Sequence, residues 1–175
     1  SEDFEVYDNG DGTFGVQPTS VAVVGDKKFN SFKEAVAAAE AITGGDKKLT
    51  LNQNVTLTED LTIEGITIDT SGKMITIPEG VKLTLNAVTA KNNEGATYTK
   101  PGVWGDDEKN RTIFHVDGSL DISGGTYETN GVHMIRVSGT ATIGNGATLS
   151  CTAGASEYTA ANAGNYDGAP LISVT

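Results

Sequence analysis

From residue 49 onward the chain repeats a three-residue unit of the form apolar–Thr–apolar. It occurs at Leu49-Thr50-Leu51, Val55-Thr56-Leu57, Leu61-Thr62-Ile63, Ile66-Thr67-Ile68, Ile75-Thr76-Ile77 and Leu83-Thr84-Leu85. Each unit puts two side chains on one face of a strand and the threonine on the other. Gly, Asn, Asp or Pro separates most of them. Strands this short are weak in an open sheet, but stacked above and below one another they bury a continuous core.

A longer repeat runs through the second half. Ile113-Phe114-His115-Val116-Asp117-Gly118 aligns with Met134-Ile135-Arg136-Val137-Ser138-Gly139, an offset of 21 residues. At the same offset Leu120 meets Ala141, Ile122 meets Ile143 and Gly125 meets Gly146. Such a period suits a three-sided coil of three short strands and three turns. Leu83 lies 37 residues before Leu120, so that interval contains an inserted loop. Leu171-Ile172-Ser173-Val174 reads as the first strand of a further coil. Two insertions, 89–111 and 153–169, each follow the third strand of a coil. They are therefore expected to leave from one shared corner.

The N-terminal part is patterned differently. In residues 1–30, Phe4, Val6, Phe14 and Val16 alternate around the turn Asp8-Asn9-Gly10-Asp11-Gly12, and a second short pair follows around Gly25-Asp26. Residues 31–42 predict the one helix. Ser31 and Glu34 form a capping box, Phe32, Val36 and Ala39 share a face, and Gly44-Gly45 ends it. The expected organisation is a single domain: extended strands over 1–30, a capping helix and turn over 31–48, and coils over 49–175. The fold class expected is all-β, a right-handed parallel β-helix (β-solenoid) with a short N-terminal capping α-helix.

Composition narrows the function. The 175 residues suffice for one domain, and 22 glycines with 37% apolar residues favour short strands and tight turns. A net charge of −11 disfavours nucleic acid and anionic membrane surfaces as partners. The acidic surface serves solubility or, alternatively, collects Ca²⁺. Cys151 is the only cysteine, so no internal disulfide forms, and a buried small hydrophobe is its expected role. No apolar run is long enough to span a membrane as a helix. The chain opens at Ser1 with no signal peptide, which suggests a processed or excised segment.

The run Val24-Gly25-Asp26-Lys27-Lys28-Phe29-Asn30-Ser31-Phe32-Lys33-Glu34-Ala35, followed by the strand–turn series to Leu85, resembles a known family. It is similar to the opening of pectate-lyase-like right-handed parallel β-helix modules on surface proteins of gut Firmicutes and related bacteria. The preceding Asn9-Gly10-Asp11-Gly12-Thr13-Phe14 also looks like a phrase that precedes such modules. The resemblance covers about half the chain. It implies the fold and an extracellular, bacterial cell-surface setting, and leaves activity open.

Candidate chemistry is sparse. Asp117 and Asp121 flank one coil, and His115 lies one repeat before Arg136. That is a cation beside an imidazole, not the opposed carboxylate pair a glycosidase requires. His115 and His133 are the only histidines, and no Cys/His cluster accompanies them. The acidic turn at Asp8–Gly12 fails as an EF-hand, because Tyr7 would hold the first ligand position and Pro18 the twelfth. Asp106-Asp107-Glu108 is a second acidic loop cluster. No cofactor is expected, and Ca²⁺ has no supporting motif.

The binding hint lies in the insertions, which carry Tyr98, Trp104, Tyr158 and Tyr166. Such rings stack on sugars or anchor protein partners, or fold back to close their own loops. The expected function is a non-enzymatic surface module, an adhesin, stalk or glycan-contacting element whose partner is a glycan or a host or bacterial surface protein. Head-to-tail self-association into a filament is the alternative. A polysaccharide lyase or hydrolase is the third.

Overall fold

A computed structural model describes residues 4–92, 112–129, 134–151 and 172–174. The first element is an antiparallel hairpin of β1 (Phe4–Asp8) and β2 (Phe14–Pro18), a two-stranded sheet of its own. Its turn is held by its own side chains. Gly10 N–H donates to Asp8 Oδ1 at 2.8 Å, Thr13 N–H to Asp11 Oδ1 at 2.9 Å, and Asn9 Nδ2 to Thr13 Oγ1 at 2.8 Å. The Thr13 hydroxyl, which donates to Asp11 Oδ1 at 2.6 Å, and then the Thr13 N–H hold the Asp11 carboxyl below the usual range. The acidic cluster thus serves the turn.

Next come β3 (Ala22–Val24) and β4 (Lys27–Phe29), then α1 (Phe32–Glu40). Ser31 caps α1 as its spacing to Glu34 predicts, accepting from the Glu34 N–H at 3.4 Å. A nine-residue helix is marginal alone, so burial must hold it. Phe32, Ala35, Val36 and Ala39 supply that burial, with α1 packed on β3, β4, β5 and β7.

The remaining strands are β5 (Lys48–Leu51), β6 (Val55–Thr56), β7 (Leu61–Glu64), β8 (Thr67–Asp69), β9 (Ile75–Ile77), β10 (Lys82–Asn86) and β11 (Val88–Asn92). After the first insertion come β12 (Phe114–Val116), β13 (Ser119–Thr129), β14 (Ile135–Val137), β15 (Thr140–Cys151) and β16 (Ile172–Val174). One sheet has nine strands in the order β4-β3-β5-β8-β11-β13-β10-β7, with β15 paired to β13 off that path. The other is a five-stranded parallel sheet, β16-β14-β12-β9-β6.

This arrangement corrects the expected right-handed parallel β-helix. The strands form mixed and parallel sheets, not a solenoid of three separate short strands per coil. Two physical reasons account for the difference. First, β3 pairs antiparallel with both β4 and β5, so the large sheet is mixed. Second, the corner expected between the second and third strands of a coil does not break the hydrogen-bonded ladder. β13 and β15 run through it as single strands of 11 and 12 residues. β10 and β11, separated only by Ala87, pair with the two halves of β13.

The 21-residue pairings Phe114↔Ile135, His115↔Arg136 and Leu120↔Ala141 do form. Leu83 pairs with Leu120 across the longer interval. One alignment slips: Gly124, not Gly125, meets Gly146, because β15 carries an extra residue after Ile143.

The core is one cluster in which Leu49, Ile63, Ile68, Ile75, Leu83, Leu85, Phe114 and Leu120 are fully buried. Tyr127 is equally buried, meets Phe114 edge-on at 6.3 Å between ring centroids, and donates its hydroxyl to the Gly124 carbonyl at 3.1 Å. Burial pushes the Tyr127 phenol pKa well up.

Two corner positions yield opposite predictions. Gly125 has φ +104° and its α-carbon lies against the Val88 backbone, where a Cβ has no room. Gly125→Ala is expected to lower stability by about 3 kcal/mol. Exposed Ala87 sits at φ +51°, a conformation that costs a β-carbon about 1 kcal/mol. Ala87→Gly is expected to gain less than about 1 kcal/mol, since glycine also frees the unfolded chain. Urea midpoints in neutral buffer check both signs.

Candidate functional site

The two insertions are rooted side by side. β11 ends at Asn92 and β15 at Cys151, and both residues pair with Thr129 at the end of β13. The chain re-enters at Phe114 in β12 and Ile172 in β16, and both pair with Ile135 of β14. Each root therefore lies two strand spacings from its counterpart, about 10 Å. The strand ends that flank the two insertions are thus neighbours in register, on paired sheets and not at a corner of the expected solenoid.

The candidate residues Tyr98, Trp104, Tyr158 and Tyr166 lie outside the described residues. So do His133 and the Asp106-Asp107-Glu108 cluster. β11 continues to Asn92, so Val88–Asn92 is strand and the first insertion begins later than residue 89.

Beneath the roots is a polar layer that sequence reasoning missed. Thr70, Asn92, Thr112 and Thr129 are all buried. The Thr70 N–H donates to the Lys91 carbonyl at 2.9 Å, and the Gly72 N–H to Asn92 Oδ1 at 3.2 Å. The Thr112 hydroxyl, where the described chain resumes after the first insertion, is buried without a hydrogen-bond partner among the described residues. The signal available in the sequence was the interruption of apolar alternation by a polar residue at the end of each strand: Thr70 after Asp69, then Asn92 and Thr129.

Other candidates are dispersed over two sheets. His115 and Arg136 are register neighbours in the five-stranded sheet, as the repeat predicts, with Thr76 on the other side of His115. His115 Nε2 is 3.3 Å from Asp117 Oδ1, which also accepts from the Ser138 hydroxyl at 2.5 Å. Asp121 belongs to the large sheet and forms an ion pair with Lys82 at 2.5 Å. Asp117 and Asp121 thus each have a local partner on different sheets. Cys151 is half-buried at the end of β15 and free.

A groove of about 310 Å³ lies between the start of α1 and the β6–β7 connection. Asn30, Ser31, Phe32, Thr56 and Leu61 line it, and the Lys33–Glu59 ion pair at 2.9 Å crosses its rim. Among the described residues no group of three His, Cys, Asp or Glu could hold a metal, and no helix is long and apolar enough to cross a membrane.

Comparison of the chain with protein-family models, with curated proteins and with solved structures finds no match. The resemblance to pectate-lyase-like modules therefore rests on the residues quoted for it.

The Lys82–Asp121 pair gives a prediction in pH. The lysine side-chain hydrogen bond is the main cause holding the Asp121 carboxyl below its usual value, and the same contact raises the Lys82 amine. For a depressed carboxyl, the stabilisation is present above the unfolded pKa of about 3.9 and lost as pH falls through the lower folded value. For the raised amine, it is present below the usual lysine value and lost as pH rises through the folded one. Asp121→Asn removes both. The difference in urea midpoint between parent and variant is expected to be small, constant near neutrality, and to shrink on acidification below about pH 4.

Proposed function

We propose that the chain is a non-enzymatic extracellular surface module, an adhesin or stalk element, that contacts a glycan through its two aromatic-bearing insertions. The observation carrying this reading is the shared register of their roots, with Asn92 and Cys151 both paired to Thr129. Two segments that start about 10 Å apart act on one ligand, because a sugar oligomer spans that distance. Rigidity of the platform matters as well. A platform of paired strands fixes where the two insertions start, so less entropy is lost on binding than for segments rooted on a mobile chain.

The residues assigned to contact are Tyr98, Trp104, Tyr158 and Tyr166. Aromatic faces fit the apolar face of a sugar, and the acidic surface favours neutral over anionic glycans. A bacterial cell surface is the setting, by the resemblance of the Val24–Ala35 run.

A glycan array followed by calorimetric titration tests this reading. Trp104→Ala combined with Tyr158→Ala is expected to weaken the best array hit by about tenfold or more. Urea stability should stay within about 0.5 kcal/mol, as for substitutions away from the core. Unchanged affinity rejects the insertions as the site. Release of unsaturated or reducing sugar from a uronic-acid polymer would reject the non-enzymatic reading.

A further inference from the structure

Two parallel strands, β7 and β6, lie at sheet edges beside α1. The fold treats the two edges differently. In β7 the outward N–H of Glu64 donates to Glu40 Oε1 of α1 at 2.8 Å, so the helix satisfies that edge. In β6 the inner side is paired with β9. The Val55 N–H donates to the Met74 carbonyl at 2.8 Å and the Leu57 N–H to the Thr76 carbonyl at 3.0 Å. Backbone groups of successive strand residues point to opposite edges, so the N–H and carbonyl of Thr56 are turned away from β9. Neither has a hydrogen-bond partner among the described residues. Thr56 is exposed and borders the groove of about 310 Å³ beside the start of α1. The apolar lining of that groove is Val21 and Leu61, both half-buried, and the buried Phe32, all packed on the core.

We infer that β6 is a docking edge that takes an extended segment of a partner protein as a sixth strand, parallel to the five of its sheet. The unpaired peptide groups of Thr56 specify that occupant. A donor and an acceptor on one residue, both aimed along the sheet, match an extended backbone, which offers the complementary pair at the same spacing. In parallel register the segment residue before the one opposite Thr56 gives its carbonyl to the Thr56 N–H. The residue after it gives its N–H to the Thr56 carbonyl. Side chains of those two residues point to the core side of the sheet, where the groove is apolar, and the one between them points outward with Thr56. The segment that fits is therefore apolar–polar–apolar. The chain's charge of −11 favours a segment without carboxylates and disfavours a second copy of the chain as the source.

The size of the contact sets its strength. Two main-chain hydrogen bonds and two partly covered side chains make a weak site, with a dissociation constant on the order of 1 mM. The site is independent of the two insertions, so it stands or falls apart from the glycan reading.

Amide spectra of the isotope-labelled 175-residue chain, titrated with the blocked peptide acetyl-Lys-Val-Thr-Val-Lys-amide, test the inference. The Thr56 amide should move most and saturate in the millimolar range. A probe N-methylated on its second valine, whose nitrogen is assigned to the Thr56 carbonyl, should bind about tenfold or more weakly. Methylation of the probe's threonine nitrogen, which faces away from β6, should leave affinity within about threefold. Thr56→Pro removes the donor and spares the β9 ladder, since proline is tolerated where an edge N–H faces outward. It should weaken binding about tenfold or more, with the Val55 and Leu57 amides still protected from exchange. Thr56→Ala keeps the peptide groups and should bind within about twofold of the parent. Should Thr56→Pro not fold, the two methylated probes decide on the parent chain. A Thr56 amide that stays in place at about 10 mM probe overturns the inference. So do equal losses from the two methylated probes, a loss in Thr56→Ala as large as in Thr56→Pro, or a neutral disaccharide that moves these amides where the peptide does not.

Discussion

The backbone ladder along β13 is the interaction on which the architecture depends. Its first half pairs with β10 on one edge, its second half with β11, and nearly its whole length with β15 on the other. Removing β13 would separate the early strands from the late ones in the large sheet. Each paired amide is worth only about 1 kcal/mol net, but an unpaired buried one costs more. A continuous ladder is thus enforced chiefly by the penalty for interrupting it. That penalty explains why Gly124 and Gly125 remain in strand where the chain must turn; Gly125 admits no side chain there, because its α-carbon lies against the Val88 backbone.

The turn itself is a change of phase. Along β10 and β11 the buried positions are Leu83 and Leu85, then Val88 and Ala90. Along β13 they are Leu120, Ile122 and Gly124, then Tyr127 and Thr129. The step of three residues reverses which parity faces inward, so both halves of a bent strand bury their side chains in one core. In β15 the same step is four residues, Ile143 to Ala147, and the extra residue appears as the register shift opposite Gly124. Side chains there are only half-buried, so less core depends on the match.

Much of the local structure was legible in the sequence. Ser31 and Glu34 placed the helix, and the apolar–Thr–apolar units placed most short strands within a residue or two. The 21-residue repeat placed Phe114 on Ile135. The architecture was not legible, because alternation and period state which residues face inward but not how strands are grouped. The second antiparallel partner of β3 is Lys48–Leu51, far along the chain. The continuity of β13 depends on two glycines that read equally well as a break. Of the candidate site, the co-location of the insertion roots followed from the repeat. The buried polar layer did not, since Thr70, Asn92 and Thr129 look like ordinary turn residues.

The phase change at Gly125 carries a consequence for how such a chain can diverge. Loss or gain of one residue inside β13 would invert the facing of every position beyond it, turning Tyr127 to solvent and Glu128 inward, unless the corner takes it up as a bulge, as β15 takes up the extra residue after Ile143. Single-residue changes of length within a strand are therefore confined to its corner. Length variation in descendants of this sequence should accumulate at those corners and between strands, while the straight runs change by substitution alone.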